Sequence, residues 1–172
     1  MTRADQRSEI EPIERTVRSA LDVLQVAYQI LPCDPELADT AAFCEHYGIP
    51  PSHSANAIIV ASKKEPKQYA ACLALATTQL DVNHAVRDLM GGKKLSFATA
   101  QETQDLTGMM VGGVTPFGLP EKLPIYIDSR VMEAEYVVVG GGSRSCKIKI
   151  APEALQRLPG ARVIENLARE RR

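Results

Sequence analysis

Between Thr107 and Gly118 the chain reads Thr-Gly-Met-Met-Val-Gly-Gly-Val-Thr-Pro-Phe-Gly, four glycines and a proline among apolar side chains. Glycine lets a ligand or a second backbone come close, and proline fixes the bend that follows. Bare N–H groups in such a loop can receive a carbonyl or phosphate oxygen, as in an oxyanion hole or an anion nest. A tight structural turn has the same composition. Thr107 and Thr115 can hydrogen-bond within the loop or to a substrate.

A second glycine run, Gly140-Gly141-Gly142-Ser143-Arg144, follows the apolar stretch Tyr136 to Val139. A dinucleotide-binding fingerprint needs a helix directly after its glycines. Here Cys146-Lys147-Ile148-Lys149-Ile150 alternates with period two, so the run is a hairpin loop. No Walker pattern occurs. His53, within Ser52-His53-Ser54, is a candidate general base near neutral pH; a loop histidine with no role is the commoner case. Cys33, Cys44, Cys72 and Cys146 are scattered, with no C-x-x-C pair, and read as buried free thiols. Cys44 and His46 have no second ligand pair near them in sequence, so no metal site is expected.

The elements that must hold these residues follow from periodicity and punctuation. Apolar residues from Ile13 to Leu24 recur at helical spacing after Pro12, and 27–31 reads as a short strand. Asp34-Pro35 opens a second predicted helix that ends at Gly48. Residues 57–61 have a buried-strand pattern, and 69–76 reads as the partner strand across a polar turn from Lys63 to Lys67. Asp81 is predicted to cap a helix through Met90, and Thr99 with Glu102 forms a capping box for a helix ending at Gly108. Strands are predicted at 124–127, 135–139 and 146–150, then a helix from Pro152 to Leu158 and a last strand at 161–164. Asp128 is expected to cap a turn. Residues 1–8 and the basic stretch 169–172 are expected to be disordered tails.

The 172 residues suit one domain with its own core; 45% are hydrophobic and 24% charged, ordinary for a soluble protein. No apolar run approaches the roughly 20 residues needed to cross a bilayer, and Met1 to Glu9 lacks the apolar centre of a secretory signal. A cytoplasmic protein without membrane association is the expectation. The net charge of −1 gives no global signature for nucleic acid. Lys63, Lys64, Lys67, Arg87, Lys93 and Lys94 nevertheless make residues 51–100 locally basic, as a solvated face or a surface for phosphates. Short helices between hairpins imply an α/β (α+β) fold with a mixed, largely antiparallel sheet.

In their order these segments resemble the YbaK/prolyl-tRNA-synthetase-associated editing domain family of small aminoacyl-tRNA deacylases. The motifs are T-G-x-x-x-G-G-V-x-P-x-G at Thr107 to Gly118, L-P-x-x-I-D at Leu123 to Asp128, and G-G-x-R at Gly141 to Arg144. Leu80-Asp81, Val86 and Leu89 resemble a further family segment, and the likeness runs over roughly residues 35–158. The resemblance implies that 1–172 is a single editing domain, its sheet curled or closed into a partly open barrel with the glycine loop at the mouth.

It implies hydrolysis of a misacylated tRNA, a proline tRNA carrying a small amino acid such as alanine or cysteine, without a cofactor. The partners would be the acceptor end of an aminoacyl-tRNA and prolyl-tRNA synthetase, and the protein a monomer or homodimer. Gly112, Gly113 and Asn56 would form the catalytic centre. Thr107, Gly108, Val114, Thr115, Pro116, Gly140, Gly141, His53 and Lys147 would bind substrate. Asn56 stands where the family carries a lysine, and Gly140 and Lys147 stand where some members have serine and aspartate. Of Lys63, Lys64 and Lys147, the last is best placed to restore the charge. These departures favour an alternative, a member that binds a tRNA end, a nucleotide or a protein partner without hydrolysis.

Overall fold

A computed structural model describes residues 11–171. Helix α1 (Pro12–Leu24) starts on a proline, whose fixed φ suits the first helical turn. It buries Val17 and Leu21 and ends at Gln25 in a left-handed cap. Strand β1 (Tyr28–Pro32) follows. The second predicted helix is divided: 35–37 forms a 3₁₀ turn capped by Asp34, and α2 (Thr40–Tyr47) begins only after Asp39. The break has a tertiary cause. The Ala38 carbonyl and the Asp39 carboxylate are both taken by cationic side chains from a distant hairpin.

Strands β2 (Ala55–Ser62) and β3 (Tyr69–Leu75) pair antiparallel, with Asn56 opposite Ala74. After β4 (Thr78–Leu80) the predicted helix 81–90 is a π-helical turn over 82–86 and a single α turn, α3 (Arg87–Leu89). Asp81 gives that turn no side-chain cap, because its carboxylate is bound to His84 and Arg169. Strand β5 (Leu95–Phe97) leads to α4 (Ala100–Thr107), where the Thr99–Glu102 capping box forms as expected and Gly108 closes the helix in a left-handed cap. Then come β6 (Ile125–Asp128), β7 (Val137–Gly140), β8 (Cys146–Ile150), a 3₁₀ turn over 152–157 in place of the expected helix, and β9 (Ala161–Ile164). The 169–172 expectation fails for its described part: β10 (Ala168–Glu170) pairs with β4, and Arg169 binds Asp81 at 2.8 Å. The expectation for residues 1–8 lies outside the described residues.

The strands form separate sheets, ordered β1-β8-β7, β10-β4 and β5-β2-β3-β6-β9, and not a closed barrel. Pairing is mixed but largely antiparallel, with β3–β6 and β6–β9 parallel. A parallel bridge between Ser54 and Val138 joins the two larger sheets next to Asn56. The main core lies under α1 and between those sheets, around Leu21, Ile59, Leu73, Phe117, Ile127 and Ile148. Asp128 caps the turn after β6 and also accepts the Ala168 N–H at 2.8 Å, so one buried carboxylate fixes two chain segments. All four cysteines are buried and free. No helix among the described residues is long and apolar enough to cross a membrane.

Candidate active site

Four stretches of chain meet around a cavity of about 200 Å³: the loop after α4, the β7–β8 hairpin, the start of α2 and the start of β2. The loop's course is set locally. The Thr107 hydroxyl donates to the Thr103 carbonyl at 2.6 Å and accepts the Met109 N–H at 3.0 Å, which turns the chain out of the helix. The Gly113 N–H then donates to the Met110 carbonyl at 2.8 Å. Gly112 has φ +91°, a conformation that favours glycine.

Two cations hold this turn by its carbonyl oxygens. Lys147 lies on β8 opposite Gly140, and its Nζ donates to the Ala38 carbonyl at 2.6 Å and the Gly112 carbonyl at 2.7 Å. The lysine is only 8% exposed, and burial lowers its pKa from the ordinary lysine value. Its ammonium also stands 5.3 Å from the centre of the Phe43 ring. An ammonium has three N–H donors, so these two carbonyls leave one of them uncommitted. Arg144, the arginine of G-G-x-R, donates from Nη1 to the Val111 carbonyl at 2.8 Å and to Asp39 Oδ1 at 3.0 Å, and from Nε to the Pro35 carbonyl at 2.9 Å.

These contacts fix the direction of two peptides. In a trans peptide the C=O and N–H point to opposite sides. The 111–112 carbonyl faces Arg144, so the Gly112 N–H faces away from it. The Gly113 N–H is already used within the turn. Across the cavity, Asn56 Oδ1 accepts the Thr40 hydroxyl at 2.6 Å, which leaves the Asn56 amide hydrogens as donors.

The structure thus brings Asn56, Gly112, Val114, Gly140 and Lys147 into one cavity. The other sequence-derived candidates do not line it. Thr107, Gly108 and Gly113 shape the turn, and Thr115 is fully buried behind it with its hydroxyl unpartnered among the described residues. Pro116 faces a groove beside α1, and Gly141 packs on the Cys146 sulfur. His53 stacks on Tyr136 with ring centres 4.2 Å apart, and its Nδ1 is 2.9 Å from the Tyr136 carbonyl. Asp39, Thr40 and Phe43 are cavity walls that sequence reasoning missed. Phe43 shows in the sequence only as an apolar residue within the second predicted helix, which says nothing of which cavity it reaches.

Helix α1 supports the glycine loops from behind. Ile13, Thr16 and Val17 lie against Gly108, Gly118 and Gly142, where side chains on those glycines would crowd them. The Ser143 hydroxyl is bonded to Glu14 on the same helix.

Comparison with known proteins gives this geometry a context. The family model for the aminoacyl-tRNA editing domain matches residues 34–158. A candidate Cys-tRNA(Pro)/Cys-tRNA(Cys) deacylase, EbsC of Enterococcus faecalis (strain ATCC 700802 / V583), is 28% identical over 80 residues, which are 46% of this chain and 49% of EbsC. The chain therefore spans about half the length of that curated relative. The crystal structure of a candidate trans-editing enzyme for prolyl-tRNA synthetase superposes with a TM-score of 0.78 at 23% identity, covering 95% of this chain and 100% of the other. A hypothetical protein of known structure also gives 0.78, at 24% identity, covering 87% of this chain and 97% of its own. At such identities the superpositions show the fold.

Proposed function

The chain belongs to the aminoacyl-tRNA editing domain family, and from that premise we propose that it hydrolyses the ester of a misacylated tRNA in trans. The favoured substrate is a proline tRNA carrying alanine or cysteine, and prolyl-tRNA synthetase is the enzyme whose errors it would correct. The observation that carries this reading is the cation-held glycine turn. Lys147 and Arg144 grip the carbonyls of Gly112 and Val111, which leaves the Gly112 N–H as a preorganised donor beside a cavity of about 200 Å³. That volume suits a small aminoacyl side chain, with Phe43, Ile58 and Val138 as its apolar walls. The names borne by EbsC and by the trans-editing structure point to the same chemistry.

In the reaction, water adds to the ester carbonyl carbon and the oxygen gains negative charge. The Gly112 N–H and the free N–H of Lys147 stabilise that charge. The bond to the ribose oxygen then breaks, the proton passes to that oxygen, and the free amino acid leaves an uncharged tRNA. Water is the nucleophile in this scheme, and no covalent intermediate is formed. Asn56, its carbonyl held by Thr40, donates its amide to the ribose or the amino acid.

Deacylation of alanyl-, cysteinyl- and seryl-tRNA(Pro) against a no-enzyme control tests this. Hydrolysis of one substrate well above background is expected. A second reading, a member that binds without hydrolysing, is favoured by the neutral Asn56 where the family's lysine is expected. Tight tRNA binding with no hydrolysis across the panel would establish that reading, and deacylation gained by Asn56→Lys would mark the site as decayed.

A further inference from the structure

The candidate cavity has an outer neighbour. A cleft of about 470 Å³ shares two wall residues with it, Thr40 and Asn56, whose mutual hydrogen bond separates the two spaces. Arg171 lies in that cleft. It is brought there by β10, which lies outside the segment matched by the family model. Its N–H bonds the Thr77 carbonyl, and its Nε donates to the carbonyls of Ala76 and Thr78 at 3.2 and 3.1 Å. These contacts fix the side chain through Nε, and the terminal amino groups have no protein acceptor among the described residues. No carboxylate pairs with it among those residues, in contrast to Arg144 with Asp39 and Arg169 with Asp81.

The lysines considered for the site are committed or remote. Lys147 is buried on two carbonyls. The lysines at 63, 64 and 67 sit at the opposite end of β2 from Asn56, roughly 20 Å away at about 3.3 Å per residue. The shared Thr40–Asn56 wall offers a substrate whose aminoacyl group fills the inner cavity a route by which its ribose and chain lead outward. We propose that Arg171 binds a backbone phosphate in the single-stranded 3′ end of the tRNA, in the cleft beyond that pair. A guanidinium fixed at Nε presents its terminal amino groups as a pair, which matches two phosphate oxygens. Glu45, in the same cleft, repels a phosphate placed close to it and so favours the Arg171 side.

This inference rests on the deacylase reading for its substrate, and the test separates the two. Arg171→Gln and Arg171→Lys are compared with the unaltered protein on an aminoacyl-tRNA and on a 3′-O-aminoacyl adenosine, which has no phosphate. Thermal melting of each variant checks the fold. Arg171→Gln is expected to raise KM for the tRNA about tenfold with kcat held, to leave the adenosine ester unaffected, and to be only partly restored in Arg171→Lys, which keeps the charge without the paired donors. Equal effects on both esters, or none on the tRNA, overturn it. If the unaltered protein hydrolyses neither ester, the deacylase reading has failed, and binding of an uncharged acceptor-stem RNA ending in CCA still decides on Arg171. Weaker binding by Arg171→Gln, with a salt dependence shallower by about one phosphate contact, supports the proposal. Unchanged affinity and slope, or no RNA binding by the unaltered protein, overturns it.

Discussion

Lys147 faces the cavity although its neighbours Cys146 and Ile148 are core residues, and its ammonium touches main chain from two remote segments. Lys147→Met keeps the length of the side chain and leaves the Ala38 and Gly112 carbonyls without their donor. A lost charge-assisted hydrogen bond is worth about 1.5–3 kcal/mol, so deacylation is expected to fall at least about tenfold in single-turnover assays. Full activity in Lys147→Ala would remove the lysine from the mechanism. At Gly140 the constraint is space, since a Cβ there would collide with the Val114 carbonyl. Gly140→Ala is therefore expected to cost about 1–3 kcal/mol in urea denaturation, as overpacking does. At this scale the glycines were legible in the sequence because only glycine permits such approaches. Thr40 and Phe43 were not, because nothing in α2 itself distinguishes a residue facing the cavity from one facing the core.

The elements that local chemistry specifies were also the legible ones. The Thr99–Glu102 box starts α4, and the alternation of 146–150 gives β8. The elements missed are those made by distant partners. The start of α2 is displaced because Lys147 and Arg144 claim Ala38 and Asp39, and β10 exists only by pairing with β4. Leu21 of α1 is fully buried in the main core. Leu21→Ala should cost about 2–5 kcal/mol, read from the midpoint of chemical denaturation.

The β10 anchor carries its own acid signature. Burial pushes the Asp81 carboxyl up, but hydrogen bonds from His84 and Arg169 outweigh that and hold it below its ordinary 3.8. With the folded value lowered, its stabilising effect is complete above about pH 4 and is lost as pH falls through the folded value. Asp81→Asn should thus be less stable than the unaltered protein at pH 7. The gap should narrow below pH 3.8, as followed by urea titrations at both pH values.

Across the whole molecule, all four thiols are buried and free, Cys33 and Cys44 in one apolar cluster and Cys72 in another. Burial raises the Cys72 thiol to about 12 and the Cys146 thiol to about 11. Reactivity follows the thiolate, so iodoacetamide at pH 8 should leave Cys72 and Cys146 unmodified in the native protein and label both in denaturant, as read by mass spectrometry. Of the segments outside the matched region, α1 backs the glycine loops and β10 brings Arg171 to the outer cleft. The grip of Lys147 on main-chain oxygens has a consequence for how this site can diverge. A carbonyl is the same whatever side chain its residue bears, so Lys147 has no partner obliged to change with it. Among relatives, its replacement would leave no covarying position, and the loss of the contact would pass unseen in a comparison of side chains alone.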